Sequence, residues 1–233
     1  MPVIFNSKRC ILFLSLHLVI IVALNLSVIA LHYNGFLQEG IGHSLYSLFY
    51  VDRESNVPSF FNTVLLLLAA TLLFITFLLY KHSGNSDTKY HWLLLSLIFL
   101  FLSVDESISI HEFFTHMLPQ FGIGGNGYFK FAWVIPYSVA VLLVCLFFIR
   151  FLRSLEKKVR LGFILSGIVY ITGAIIFEMI SAGIAENKGV KNISYALATS
   201  CEETLEMVGL ITFLYFILKN IRSEFKLVSI TIT

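Results

Sequence analysis

Six stretches of about 20 apolar residues recur along this 233-residue chain, and they constrain its fold more than any other feature. A helix of that length spans the ~30 Å hydrocarbon core of a bilayer, and a spanning segment must satisfy its own backbone polar groups. Only 13% of the residues are charged, which is typical of a protein buried in lipid. We therefore predict an all-α, polytopic membrane helix bundle that forms one domain over residues 1–233. The six predicted spans lie near 10–32, 59–80, 91–114, 129–152, 161–185 and 195–218.

The charges of the loops predict the orientation of the bundle. Twelve Lys and Arg residues, from Lys8 to Lys226, fall at the end that carries both termini, and four fall at the opposite end. The positive-inside rule then places both termini in the cytoplasm. The longest loop, 33–58, faces outward and is expected to lie along the interface or to fold back on the bundle. The basic inner ends fit this rule, and we expect the bilayer, not a nucleic acid, as partner.

Acidic residues inside the apolar spans are the main functional signal. An ionised carboxylate in a bilayer costs at least ~2.5–3.5 kcal/mol on insertion scales, so such residues face a bundle interior or a watery cavity. Seven of the chain's 14 acids are placed there: Asp105, Glu106, Glu112, Glu178, Glu202, Glu203 and Glu206. We predict that they form a functional site.

Helical geometry predicts which side chains share a face. In a continuous third helix, one stripe would hold Asp105, Ser109, Glu112 and His116. The polar face of the sixth helix would hold Asn192, Tyr195, Thr199, Glu202, Glu203, Glu206 and Gly209. In the fifth helix, Glu178 shares a strip with the small residues Gly167, Ala174, Ala182 and Ala185, so we expect it to point at a neighbouring helix. By depth, the acids of the fifth and sixth helices reach one level near the outer leaflet. No break within a span is evident.

The seven carboxylates need neutralisation, because no Lys or Arg lies in the middle of a span. Repulsion and desolvation prevent them from all being ionised side by side, so protons or bound cations must be present. With His111 and His116 as nitrogen ligands, the acids would suit zinc or another transition metal. Without the histidines, a proton or hard-cation site is favoured.

Structural alternatives remain open for several residues. His111, Glu112 and His116 are also compatible with a solvated position at the outer interface. Glu203 could instead be protonated and hydrogen-bonded at a helix contact. His17 and Asn25 in the first span are expected to form interhelical hydrogen bonds.

Three segments carry a resemblance to a known group of proteins: "SVDESISIHE" (103–112), "EETLEMVG" (202–209) and "ESNVPSFFNTVLLLLAA" (54–70). They resemble uncharacterised bacterial multi-pass membrane proteins with Ser-x-Asp-Glu-x4-His-Glu and Glu-Glu-x-x-Glu-Met-x-Gly segments. The resemblance covers most of the chain from about residue 50 onward. It implies a location in the bacterial inner (plasma) membrane and brings no activity with it.

Two functional hypotheses follow, with a third behind them. The favoured one is a protein that translocates or senses protons or a metal ion. Asp105, Glu106, Glu202 and Glu206 would form its core site, with Glu178 as a coupling or gating acid. The rival is a metal-dependent membrane enzyme, hydrolase-like, that acts on a lipid or amphipathic substrate from the outer side, with a carboxylate as general base. The third is a sensory or structural membrane partner, and a homo-oligomer stays open.

Overall fold

Six helices in the described part of the chain are long and apolar enough to cross a membrane, which confirms the predicted all-helical, multi-pass class. The computed structural model describes residues 7–83 and 88–225. The α-helices are α1 (Ser7–Tyr33), α2 (Gly40–Phe49), α3 (Val57–His82), α4 (Lys89–Ile108), α5 (Ile110–Met117), α6 (Val134–Ser154), α7 (Lys157–Ile171), α8 (Glu178–Lys188) and α9 (Ile193–Glu224). A π-helical segment, Thr172–Phe177, joins α7 to α8 into one span.

Both ends of the bundle can be named from the chain path. The segments 34–56 and 109–133 lie at one end, which we call the loop end. The described chain starts at Ser7 and α9 stops at Glu224 at the other, which we call the terminal end. Lys226, which entered the charge count, lies outside the described residues.

The long helix α9 lies at the centre of the bundle and contacts α1, α3, α7 and α8. Towards the terminal end, its apolar side chains join a close-packed core in which Leu73, Trp92, Val159 and Ile217 have no exposed surface. Aromatic rings fill this core, with Trp92 edge-on to Phe151 at 4.9 Å. Interiors packed in this way hold few voids as large as a water molecule, so this half of the bundle is a dry barrier.

The loop before α3 folds back on the bundle, which is one of the two arrangements expected for it. Tyr46 of α2 and Tyr50 pack with Val28, Ile29 and Ala196 in a second apolar cluster. Asn25 of α1 accepts a hydrogen bond from the backbone N–H of Val51 at 3.2 Å and donates one to Ser200 of α9 at 2.8 Å. The predicted interhelical role of Asn25 is thus confirmed.

The same prediction is wrong for His17. Its ring bonds the carbonyl of Phe13 at 2.8 Å, one turn back in its own helix. A histidine can satisfy one nitrogen in this way without a neighbouring helix, so its presence in a span does not indicate an interhelical bond.

A capping box fixes the start of α3 and thereby the loop before it. Asn56 accepts from the N–H of Ser59 at 3.0 Å, and the Ser59 hydroxyl accepts from the N–H of Asn56 at 3.1 Å. The Asn56 amide also donates to the carbonyl of Tyr50 at 2.7 Å. These bonds hold residues 51–55 over the loop end of the bundle.

The predicted third span is shorter than expected and broken. It was expected to run as one helix over 91–114, but α4 ends at Ile108 and α5 starts anew at Ile110. Ser109 between them has φ 56°, in the left-handed region that a continuing α-helix excludes. The predicted stripe through Ser109, Glu112 and His116 is therefore wrong. Asp105 lies one turn, ~5 Å, from the end of its helix.

The fourth span also begins later than predicted, at Val134 instead of 129. A 3₁₀ turn over Gly127–Phe129 precedes it. Pro136 fits the first turn of α6, where its missing N–H costs no helical hydrogen bond.

Candidate functional site

An acidic cavity of about 180 Å³ opens at the loop end, between the helices of the second half of the chain and the folded-back loop. All eight predicted site residues line it. Nine acids border the cavity: Asp52, Glu54, Asp105, Glu106, Glu112, Glu178, Glu202, Glu203 and Glu206. The polar faces of the third, fifth and sixth spans therefore converge as predicted.

The break at Ser109 positions Asp105 against the start of α5. Asp105 Oδ1 accepts from the backbone N–H of His111 at 2.8 Å and lies 3.2 Å from Nδ1 of the same residue. Its other oxygen, Oδ2, accepts from the hydroxyl of Tyr137 at 2.8 Å. A carboxylate in front of the free N–H groups of a helix start is stabilised there. The buried Asp105 is thus fully hydrogen-bonded, with an exposed fraction of 5%.

His111 lies between two carboxylates. Nδ1 faces Asp105, and Nε2 is 3.7 Å from Oε1 of Glu54, in the loop before α3. Desolvation lowers the pKa of His111, but the hydrogen bond and charge of Asp105 and the charge of Glu54 outweigh it and raise this pKa to about 9. Partial burial raises the pKa of Glu54, with His111 opposing it. At neutral pH His111 is therefore an imidazolium.

The acids of α8 and α9 form a close pair. Glu178 Oε1 accepts from the indole N–H of Trp133 at 2.8 Å. The buried Ser181 hydroxyl lies 3.2 Å from Oε2 of Glu178 and 3.4 Å from Oε2 of Glu202. The two carboxyl groups are also within hydrogen-bonding reach of each other. Since ionised carboxylates only accept hydrogen bonds, a bond between them requires a proton.

A second acidic group lies deeper, where α9 meets the π-helical segment. Glu106, Glu203 and Glu206 are close neighbours, and Tyr170 of α7 lies beside Glu206. Asn62 of α3 is fully buried and faces Glu106 and Glu206. Neither atom of the Asn62 amide has a hydrogen-bond partner among the described residues. The protein buries this amide without satisfying it, which is unusual and points to a bound species.

Two glycines allow the fifth span to approach these acids. A Cβ on Gly173 would stand 2.7 Å from the carbonyl oxygen of Glu202, and one on Gly209 would stand 2.9 Å from Cβ of Tyr170. By contrast, a Cβ on Gly167 would meet nothing within 4 Å. The expectation that Gly167 shares the contact strip of Glu178 is therefore wrong, because the π-helical segment adds a residue to the turn and changes the register between them.

The mouth of the cavity is formed by the folded-back loop. Asp52 Oδ1 accepts from the hydroxyl of Tyr195 at 2.9 Å. Desolvation raises the pKa of Asp52 to about 7, outweighing the hydrogen bond from Tyr195, and the charge of Glu178 adds to the rise. This carboxyl group therefore titrates near neutral pH at the entrance.

The solvated alternative describes His116 best. Its side chain is 81% exposed, 3.9 Å from Glu112, and is not among the residues that line the cavity. Glu112 is 41% exposed and forms part of the rim. His111, at 18%, belongs to the cavity instead.

Sequence reasoning missed several polar residues of the cavity, namely Asp52, Glu54, Asn62, Trp133, Tyr137, Tyr170 and Ser181. The sequence "DRESN" (52–56) placed two acids just before a span, which was a usable signal. Trp133 and Tyr137, four residues apart at the start of α6, were another, because i and i+4 share a helix face. The others lie within apolar runs and gave no such signal.

Side-chain positions do not present a ready metal site. Within residues 7–83 and 88–225, no three His, Cys, Asp or Glu side chains are grouped so as to hold a metal ion. The carboxylates face one another in pairs and triplets, but their oxygens do not converge on one point. A resident metal would require the side chains to adopt other rotamers.

The chain belongs to the family described as "Domain of unknown function (DUF8692)", whose model matches residues 12–219. The match covers every span in nearly full length, which agrees with the resemblance to a multi-pass membrane protein family. No curated protein and no solved structure matches the chain. The functional argument therefore depends on the geometry of the cavity.

Proposed function

We propose that this protein binds protons in the acidic cavity and uses them in translocation or sensing. The observation that carries the proposal is the pair formed by Glu178 and Glu202, two buried carboxyl groups within reach of one hydrogen bond and of the same serine hydroxyl. Two carboxylates in such contact cannot both ionise, so they retain a shared proton. A carboxyl pair of this kind is a proton-binding site without any further ligand.

The charge balance of the cavity supports the same proposal. Nine acids line it, and Arg53 is the one Lys or Arg among its lining residues in the described chain. Together with the imidazolium of His111, this leaves a large excess of carboxyl groups. Protons, the smallest cations, neutralise such a group without any rearrangement of the side chains.

A route for protons leads from the mouth inward. Asp52 and Glu54 lie at the entrance, and His111 links Glu54 to Asp105 through its two nitrogens. Their pKa values lie near or above the usual range for their types, at about 7 for Asp52 and about 9 for His111. Groups that titrate around neutral pH exchange protons efficiently.

We place the loop end outside the cell, with both termini in the cytoplasm, from the excess of Lys and Arg at the terminal end. The cavity then takes up protons from the outer side of the cell membrane. The apolar core around Trp92 closes the path to the cytoplasm in this conformation. Translocation would therefore require α9 or its neighbours to move, and sensing would not.

Metal binding to the same acids is the alternative occupant, with zinc or another transition metal as the ion. It is less favoured because the described side chains form no group of three donors around one point. A metal-dependent enzyme acting on a lipid depends on the same missing arrangement, so it ranks behind proton binding as well.

Reconstitution into liposomes tests proton movement. The protein is inserted into vesicles that contain a pH-sensitive dye, and a pH gradient is imposed with a potassium diffusion potential to compensate charge. We expect proton flux above that of empty vesicles, reduced at least tenfold in Glu178→Gln and Glu202→Gln. Glu39→Gln, an exposed acid of the loop end, is the matched control and should retain the flux. Wild-type flux equal to that of empty vesicles would reject translocation.

A further inference from the structure

The cavity has an apolar side as well as an acidic one. Leu102 of α4, Val141 of α6, and Ile171, Ala174 and Ile175 near the π-helical segment line it and are half-buried. Val141 is seven residues inside α6, ~11 Å from the loop end of that helix. At that depth the surroundings of a spanning helix are hydrocarbon, so this side of the cavity adjoins lipid.

Helix α6 is attached to the bundle mainly at its two ends. At the loop end, Trp133 bonds Glu178 and Tyr137 bonds Asp105. Near the terminal end, Phe151 stacks on His91 at 5.2 Å and meets Trp92. Between these attachments, the cavity separates α6 from the π-helical segment. The geometry provides an apolar slot between two spans.

The size of the cavity selects the kind of ligand. A volume of about 180 Å³ corresponds to roughly six water molecules at ~30 Å³ each. It is smaller than the ~300–1,000 Å³ of pockets that enclose a drug-sized ligand. It therefore accommodates a compact head group, whereas a longer tail would have to leave through the slot into the lipid.

The charge of the cavity selects the head group. Nine acids against Arg53 would repel a phosphate or carboxylate, which excludes ordinary phospholipids, and would attract an ammonium group. The rings of Trp133, Tyr137, Tyr170 and Tyr195 also line the cavity, and aromatic faces attract ammonium ions. The unpartnered amide of Asn62, beside Glu106 and Glu206, supplies an acceptor for an ammonium N–H.

We propose that the cavity binds the protonated amine of a single-chain amphiphile. Its ammonium group lies among Glu106, Glu202 and Glu206, and its alkyl tail passes between α6 and the π-helical segment into the bilayer. This inference rests on the proposed cation-binding function and names a second cation for the same site. The amine replaces protons on the carboxyl groups, so binding releases protons.

Radiolabelled decylamine tests the inference by equilibrium dialysis against the detergent-purified protein. Decanol, with the same tail and no charge, is the matched control ligand. We expect saturable binding of about one decylamine per chain and no saturable binding of decanol. Glu206→Gln should weaken decylamine binding at least tenfold, and Glu39→Gln should leave it unchanged.

A blocked slot separates this inference from the proton site. Ala174→Phe fills the apolar side of the cavity and should abolish decylamine binding while the infrared band of protonated carboxyl groups persists. Val141→Phe is the second variant, in case the first does not fold. Decylamine binding that is absent, matched by decanol or unaffected by Glu206→Gln overturns the amine inference alone if the protonated carboxyl band is present. If that band is absent too, the proposed proton site fails with it.

Discussion

The charge state of His111 makes a quantitative prediction about stability and pH. The pKa of this residue is raised from 6.5 to about 9 in the folded protein by Asp105 and Glu54, against the lowering effect of desolvation. A group with a raised pKa stabilises the folded state below its unfolded pKa, and the contribution is lost as the pH rises through the folded value. The window of loss therefore runs from about pH 6.5 to somewhat above 9.

The size of the effect follows from the shift. A difference of roughly 2.5 pKa units at ~1.36 kcal/mol each corresponds to about 3 kcal/mol. The side chain of His111 is 18% exposed, so solvent screens this contribution only in part. For a chain of this length, about 3 kcal/mol corresponds to a fall in the unfolding midpoint of roughly 6–12 °C.

Thermal unfolding of the detergent-purified protein, followed by tryptophan fluorescence from pH 6.5 to 10, measures this fall. In His111→Gln the midpoint should change much less over the same window. His43→Gln, an exposed histidine of α2, is the control and should follow the wild type. Asp52 loses its own contribution below this window, between about pH 4 and 7, since its pKa is raised to about 7. Parallel curves for the wild type and His111→Gln above pH 7 would refute the reasoning.

Three further predictions concern hydrogen bonding, packing and metal content. Tyr137→Phe removes the 2.8 Å bond to Asp105 and should cost about 1.5–3 kcal/mol of unfolding free energy, measured by thermal or denaturant unfolding; an unchanged midpoint would contradict it. Gly173→Ala forces a Cβ to 2.7 Å from the carbonyl oxygen of Glu202 and should destabilise by about 1–3 kcal/mol, whereas Gly167→Ala, with open space, should be neutral or stabilise by up to about 1 kcal/mol. The reverse order of the two variants would reject the close packing. Elemental analysis of the purified protein should find metal well below one ion per chain, and chelator should leave the unfolding midpoint unchanged; a stoichiometric metal that is lost in Glu202→Gln would favour the metal alternative.

The spans and the convergence of their acids could be predicted because both depend on regular periodicity. Apolar length identified each span, and the 3.6-residue period placed Glu202 and Glu206 on one face of α9, where both are now buried. The cost of a carboxylate in lipid left few other positions for these side chains. Convergence of three such faces on one cavity follows from the same constraint.

The departures from regular helix could not be predicted, because their sequences carry no distinctive residue. Ser109 adopts a positive φ that glycine or asparagine would have signalled, and it lies in a run that continues the helical pattern. The π-helical segment Thr172–Phe177 is likewise apolar and unremarkable in composition. In both places tertiary contacts, such as the bonds of Asp105 to His111 and Tyr137, stabilise a backbone that local propensity does not favour.

Protonation of buried carboxyl groups is the central claim, and infrared spectroscopy tests it most directly. Protonated carboxyl groups have a C=O stretching band distinct from that of carboxylates, which can be recorded on metal-free protein at pH 7 in wild type, Glu202→Gln and Glu39→Gln. We predict that the wild type shows this band, that Glu202→Gln loses intensity equal to about one carboxyl group per chain, and that Glu39→Gln matches the wild type. A wild-type spectrum without the band, or a band that Glu202→Gln leaves intact, would contradict the shared proton between Glu178 and Glu202.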